Sequence, residues 1–439
     1  MAENPPHTDS TPEKKKISDF LRHGLVHNIF ALYGVHFVNY LFPLVTIPYL
    51  ARVLGPSTWG LVAFAQSFGQ YLNLIMEYGF NLSATREVAR FREDKKKLAE
   101  LLAGVLGAKS LLTLACFAAA LIAKVFVGNF QAHPILFWSA LFWSIAQSFS
   151  PIWYYQGLER MKFVASLDVV AKTFSTLAIF LIVRSPDHAW KVLVLQGGGA
   201  FLSSSVALWI AYRGVPFQVP NFFLTLQALK MGWTMFLFRS AVSLYTVGNT
   251  FILGLFAPPE FVGFYAGAEK ISKALVGLLT PINQALYPRL SYLAQESRAK
   301  AAQLTQISFK VMGGIGMLMG VVAFIGAPIW VRLFLGSGFE ASILPLKILS
   351  FLPLLIALSN VLGIQWMLPL GMDRAFNWVI IGAGLLNLTL AVLLAPRFAQ
   401  VGMAWAVVIS EIFVTGAIFV LLRMKRLDPF SYREAQNIL

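Results

Sequence analysis

Twelve stretches of this chain, each about twenty residues or longer, are apolar nearly throughout. They lie at about 26–50, 59–80, 101–126, 134–154, 163–183, 190–212, 232–256, 261–284, 308–333, 343–368, 376–395 and 401–422. A helix of roughly 20 apolar residues crosses the hydrocarbon core of a bilayer. Lipid offers backbone N–H and C=O groups no partner, so only helices or closed barrels survive there. Barrel strands alternate apolar and polar residues over about ten positions, and these runs do not. The expected fold class is therefore an all-α integral membrane protein with 12 transmembrane helices. Composition agrees. Hydrophobic residues make up 57% and charged residues 13%, mean hydropathy is +0.68, and a soluble domain is about a quarter charged.

Lysine and arginine orient the helices, because basic loops stay in the cytoplasm. With the N-terminus inside, Lys14, Lys15, Lys16 and Arg22 precede the first span. Arg86, Arg90, Arg92, Lys95, Lys96 and Lys97 follow the second, and Arg423, Lys425, Arg426 and Arg433 follow the last. In all, 23 basic residues face this side and 7 face the other (Arg52, Lys124, Arg184, Lys191, Arg332, Lys347 and Arg397). Both termini are expected in the cytoplasm. The net charge of +15 then reflects topology, not a nucleic-acid partner. Residues 1–24 read as a polar tail and not as a signal peptide, since the apolar segment behind them is too long and lacks a cleavage site.

The chain also repeats. Shifted by 203 positions, Pro56, Gly60, Ala63, Ala65 and Arg86 fall on Pro259, Gly263, Ala266, Ala268 and Arg289, and Glu93, Lys97 and Ala99 fall on Glu296, Lys300 and Ala302. An even number of spans separates the copies, so the halves point the same way, as parallel repeats about an axis along the membrane normal. The expected layout is an N-terminal six-helix lobe at 25–212, a cytoplasmic linker at 213–231, a C-terminal six-helix lobe at 232–422 and a cytoplasmic tail at 423–439, with a cleft between the lobes. The block at 50–101 supplies an outer turn, a span and a basic loop in each copy.

Nine charged residues fall inside spans: Glu77, Lys109, Asp168, Lys172, Arg239, Glu269, Lys270, Lys273 and Glu411. A charge at mid-bilayer costs roughly 2.5–3.5 kcal/mol on insertion scales, and such groups normally face a bundle interior or a wet cavity. Lys109 has a second option, since it starts about eight residues into its span and can snorkel to the cytoplasmic face. Glu77, near the end of its span, reads as structural. Asp168 with Lys172 and Glu269 with Lys273 are four apart and can neutralise one another. Arg239 has no acid at helical spacing, and Lys270 and Lys273 have only Glu269 nearby. Under the 203 shift these positions match His36, Gln66, Ser67 and Gln70, polar where the second half is charged. Facing bundles would enclose a hydrophilic cleft, more cationic on the second-half side, with an anionic ligand.

Pro43, Pro48, Pro281 and Pro353 interrupt spans, while Gly313, Gly314, Gly316 and Gly320 line the ninth, where close helix packing is the plainer reading. Trp59, Trp138, Trp153, Tyr154, Tyr155 and Trp190 gather near span ends, as an interfacial belt would. No Walker motif is present, so ATP-driven pumping is not expected, and there is no HExxH. The single cysteine, Cys116, allows no intramolecular disulfide and no cysteine-based metal site. No cofactor is expected.

The runs PYLARVLGPSTWGLVAFAQSF, EYGFNLSATREVA, LYTVGNTFILGLFAPPEFVGFYAGAEKI and PINQALYPRLS resemble the polysaccharide transporter family, which includes O-antigen flippases, of the multidrug/oligosaccharidyl-lipid/polysaccharide flippase superfamily. The resemblance covers about residues 24–425. It implies two six-helix lobes around a central cavity that work by alternating access. It also implies an undecaprenyl-diphosphate-linked oligosaccharide as substrate, carried across a bacterial inner membrane for surface polysaccharide synthesis. Membrane lipids and polysaccharide assembly proteins are the implied partners, and a proton or sodium gradient the implied energy source.

Combined with the charge pattern, this makes Arg239, Lys270 and Lys273 the candidates for the diphosphate, with His36, Gln66 and Gln70 toward sugar. Glu269, Lys109 and Lys172 are further cavity-lining candidates. Asp168, Glu269, Glu411 and Glu77 are the candidate ion-coupling carboxylates. Arg86 and Arg289 are the candidate cytoplasmic gate or anchor. A cation-coupled multidrug antiporter of the same superfamily would want a net acidic site. A membrane polymerase or ligase would want a sizeable outer loop, and a non-transporting scaffold would have no use for buried cations.

Overall fold

The computed structural model describes the backbone of residues 12–431, and the side chains there except those of 12–41, 43–44, 238, 241–242 and 244–246. His36 is on the first helix, and its side chain lies outside the described residues. The first half of the chain forms α1 (Pro12–Glu77), α2 (Phe80–Arg90), α3 (Lys95–Phe126), α4 (Gly128–Ala132), α5 (Pro134–Ser148), α6 (Ile152–Gly157), α7 (Met161–Ile182) and α8 (Ala189–Gly214). The second forms α9 (Phe222–Thr246), α10 (Asn249–Phe256), α11 (Pro259–Gly277), α12 (Thr280–Glu296), α13 (Arg298–Ile325), α14 (Ala327–Phe334), α15 (Ile343–Leu349), α16 (Leu352–Ser359), a π-helix (Asn360–Met367) and α17 (Asp373–Met424). No strand occurs among the described residues. Seven helical stretches among them are long and apolar enough to cross a membrane.

The first two apolar stretches run together as α1, bent at Gly55 with φ 70°, and the last two as α17, bent at Ala399 with φ 44°. Glycine takes the left-handed conformation without steric penalty, which is why the Gly55-Pro56 pair can fold α1 back. Five other stretches are broken. The fourth divides between α5 and α6, the seventh between α9 and α10, the eighth between α11 and α12, the ninth between α13 and α14, and the tenth between α15, α16 and the π-helix. Pro281 and Pro353 sit in the first turns of α12 and α16, where a missing N–H costs nothing. Side chains cap the polar starts: Asp94 accepts from the Lys96 and Lys97 amides at 3.0 and 3.1 Å, and Asn221 from the Leu224 amide at 2.8 Å.

The repeat has a direct packing consequence. A methyl group at Gly60 would land on the Pro259 carbonyl oxygen, and one at Gly263 on that of Pro56. Matched positions of the two copies therefore close on each other, backbone to backbone. Around this crossing lies the largest apolar core, which draws Leu54, Phe64 and Phe137 from the first half and Leu253, Tyr265 and Ala404 from the second. At the basic-loop end there are two cores, and α9 of the second half packs into the core of the first. One holds Phe80, Leu102, Trp153 and Ala207 with Ala228 of α9, and the other holds Ala301, Trp366, Ile380 and Ile418.

Two expectations are corrected. The segment after Glu77 is not simply a basic loop. It contains α2, whose Phe80, Ala84 and Val88 are buried while Arg86 and Arg90 face outward. α2 covers α6, and Thr85 donates to the Trp153 carbonyl at 3.1 Å. For that reason Trp153, Tyr154 and Tyr155 are buried and form no interfacial belt, and Trp59 is buried as well. Gly316 and Gly320 of α13 act in close packing: a Cβ at Gly316 would meet the Pro353 carbonyl at 2.6 Å, and one at Gly320 the Ser350 carbonyl at 2.7 Å, whereas one at Gly314 would meet nothing within 4 Å.

Candidate functional site

Two cavities collect most of the intramembrane charge. The first, about 250 Å³, is lined by Thr46, Trp59, Val62, Gln66, Asp168, Lys172 and Gln196 of the first half, and by Lys270 of the second. The other, about 470 Å³, is lined by Asn249, Tyr265, Glu269, Lys273, Ser359 and Glu411, all of the second half. Thr46, Val62 and Gln66 are the 203-shift partners of Asn249, Tyr265 and Glu269, so the cavities are repeat-related chambers. One helical step further, the side chains leave their own chamber. Lys270 reaches into the first cavity, its ammonium 5.4 Å from the Trp59 ring centre. Its partner Ser67 donates to the Val247 carbonyl, at 3.0 Å, in the break between α9 and α10.

The chambers differ in charge. The first holds Lys172, Lys270 and Asp168, one net positive charge. The second holds Glu269, Glu411 and Lys273, one net negative charge. Lys172 pairs with Asp168 at 2.6 Å, and Lys273 with Glu269 at 2.9 Å, as their spacing predicts. Glu269 also accepts from Thr250 Oγ1 at 3.1 Å, and Glu411 from Ser359 Oγ at 2.8 Å. Gln66 donates to Gln196 at 3.3 Å. Gln70 is exposed and lines neither cavity.

Three residues gather elsewhere. Arg239, without an acid on its own helix, finds Glu77 of the opposite half, Nη2 to Oε2 at 3.5 Å. Lys109 neither snorkels nor lines these cavities. It is fully buried, and its ammonium donates to the Ser148 carbonyl at 2.5 Å and to that of Ser150 at 3.3 Å. Those carbonyls lie at the end of α5, where a helix leaves acceptors unmet and its dipole favours a cation. Glu77 lies within Coulombic range of the same lysine. The three diphosphate candidates thus stand in three places: Arg239 at Glu77, Lys270 in the first chamber, Lys273 in the second. Arg86 is exposed beside Glu87 at 3.7 Å, Arg289 is half-buried on α12, and neither lines a chamber.

Uncharged polar residues were the harder ones to see. Gln365, on the π-helix, is fully buried, donates to Asn283 Oδ1 at 2.6 Å and accepts from Ser308 Oγ at 2.6 Å. Gln196, Ser359 and Asn249 share this character. A lone amide or hydroxyl in an apolar run is the only signal that marks them.

Comparison with known proteins fits this geometry. Residues 25–294 match the polysaccharide biosynthesis protein family. The chain belongs to that family. The chain is also 32% identical over 408 residues to an Escherichia coli (strain K12) protein named "Putative O-antigen transporter", covering 92% of this chain and 98% of that one. A Shigella dysenteriae protein of the same name is 31% identical, covering 91% and 98%. Among solved structures, the lipid II flippase MurJ in an inward closed conformation superposes with a TM-score of 0.67 at 15% identity, covering 92% of this chain and 90% of that one. An inward-facing multidrug transporter of the MATE family gives 0.64 at 14%, covering 90% and 96%. These two likenesses show that the chain shares the fold of those transporters, and the family member described here is a multi-pass membrane protein.

Proposed function

We propose that this protein is a flippase that moves undecaprenyl-diphosphate-linked oligosaccharide units across a bacterial inner membrane, for O-antigen or related surface polysaccharide synthesis. In this reading twelve helices form two lobes, 25–212 and 232–422, joined by the linker 213–231, and both termini are cytoplasmic. The name shared by the two bacterial relatives supports the substrate class.

The observation that carries the reading is that Lys270 of the second half lines the first chamber together with Lys172. A diphosphate is a strong anion and needs cations in a low-dielectric site. The first chamber supplies a net positive charge built from both halves, so an anion there would bridge them. The second chamber, with Glu269 and Glu411, suits a small coupling cation, proton or sodium. Chambers of about 250 and 470 Å³ are of drug-ligand size and too small for a lipid-linked repeat unit, so the lobes must part for passage. At the basic-loop end α9 alone ties the second half to the core of the first, so the remaining helices there can part while the shared core holds the other end.

The test is genetic and biochemical. Deletion should make lipid-linked repeat units accumulate on the cytoplasmic leaflet and remove the surface glycan. Normal surface glycan in a strain with no second flippase overturns the reading. One observation favours a second reading: the net negative second chamber could hold a cationic drug. Drug efflux without any change in surface glycan would select that one.

A further inference from the structure

We infer that Arg239, outside the first chamber, is a shared ligand: the Glu77 carboxylate holds it when no substrate is bound, and the substrate's diphosphate takes it over before reaching Lys270, so that substrate itself releases this contact between the halves. This rests on the flippase reading above and deepens it.

Local chemistry makes Glu77 an unusual residue. It is the last residue of α1, and the chain turns sharply behind it through Tyr78 (φ 51°) and Gly79 (φ 73°). An acid at a helix C-terminus opposes the helix dipole, which favours a cation there. Buried, it needs partners from elsewhere in the fold. It has two within hydrogen-bond or ion-pair reach, the Asn81 amide at 3.4 Å and Arg239 of α9 at 3.5 Å, while Lys109 carries its charge farther off.

These partners are not equivalent. Asn81 is fixed by the turn, and Lys109 is tied to two carbonyls. Arg239 is the one that can leave. Its side chain is 38% exposed against 11% for Glu77. Among the described residues it makes a single contact to that carboxylate, longer than the about 2.7–2.9 Å of a tight charge-assisted bond. A guanidinium carries five N–H donors, more than one carboxylate engages, so the fork can meet a second anion. A diphosphate carries more charge than a carboxylate and offers oxygen pairs that match the fork. After the exchange Glu77 keeps the Asn81 amide. What then still holds α9 to the end of α1 is aromatic: Tyr78 and Phe236 stack at 4.6 Å and 15°, with Gly79 and Gly232 allowing the close approach. The break at Val247–Gly248 leaves α9 a place to bend.

The exchange predicts effects of opposite sign. Undecaprenyl diphosphate and uncharged undecaprenol would be titrated into the purified full chain in nanodiscs. Glu77→Gln removes the competitor and should tighten diphosphate binding about tenfold, Arg239→Gln should weaken it about tenfold, and the double variant should follow Arg239→Gln. Undecaprenol binding should not move. Should Arg239→Gln fail to fold, Arg239→Lys keeps the charge but loses the fork, and a severalfold weakening is expected. The second readout is disulfide cross-linking between Tyr78→Cys and Phe236→Cys in a Cys116→Ala background, which undecaprenyl diphosphate should slow severalfold. The inference is overturned if Glu77→Gln and Arg239→Gln shift affinity in the same direction or not at all, or if bound diphosphate leaves cross-linking unchanged; the flippase reading survives either result. If the wild-type chain binds no undecaprenyl diphosphate, that reading fails too.

Discussion

Gly60 and Gly263, at the same position in the two copies of the repeat, each press on the carbonyl that the other copy's proline presents: Gly60 on Pro259, Gly263 on Pro56. The halves meet there with no side chain between them. One duplicated Pro-x-x-x-Gly thus builds a symmetric joint, and the largest apolar core forms around it.

A methyl group at either glycine meets backbone, which cannot rotate away. Gly60→Ala and Gly263→Ala should each cost about 1–3 kcal/mol, the usual range for overpacking. Gly198→Ala, where a Cβ has nothing within 4 Å, should melt like the parent or slightly above it. Thermal unfolding in detergent measures all three.

Lys109 should prove structural. Lys109→Met leaves the Ser148 and Ser150 carbonyls without their donor and should destabilise by roughly 1–3 kcal/mol, with diphosphate binding unchanged in the folded fraction. Weak binding at normal thermal stability would instead make Lys109 a substrate contact.

Glu411→Gln keeps a hydrogen-bonding group toward Ser359 but removes a charge from the second chamber. Transport should then lose its dependence on an imposed proton or sodium gradient while the lipid headgroup still binds. The measurement is uptake in inverted vesicles with and without each gradient.

Trp59 supports Lys270 with its ring face. Trp59→Leu removes a cation–π contact of about 0.5–2 kcal/mol, so diphosphate affinity should fall by a few-fold up to roughly thirtyfold. Trp59→Phe should lose less. Isothermal titration with undecaprenyl diphosphate separates the two.

The sequence made the helices plain, because unbroken apolar runs admit little else, and it showed Pro56, Gly60, Pro259 and Gly263 recurring in register, but not that these positions close on one another, which only the packing reveals. It also fixed the two ion pairs within single helices, Asp168 with Lys172 and Glu269 with Lys273, since four-residue spacing is local. It did not show that Arg239 meets Glu77, because that pairing joins helices 162 positions apart. Neither could it separate Lys270 from Lys273. They are three residues apart on one helix, yet one side chain crosses into the first chamber and the other stays in the second. α2 was hidden in a basic segment because its apolar face has only a few positions, and the burial of Trp153 followed from it.

The central claim is that the first chamber holds an anion and the second does not. Binding of undecaprenyl diphosphate to purified Lys172→Gln/Lys270→Gln and to Glu269→Gln/Glu411→Gln tests it most directly. The account predicts that the first pair of changes lowers affinity by about tenfold or more, while the second pair leaves it within about twofold of the parent. Full affinity in Lys172→Gln/Lys270→Gln, in protein shown to be folded, would contradict it.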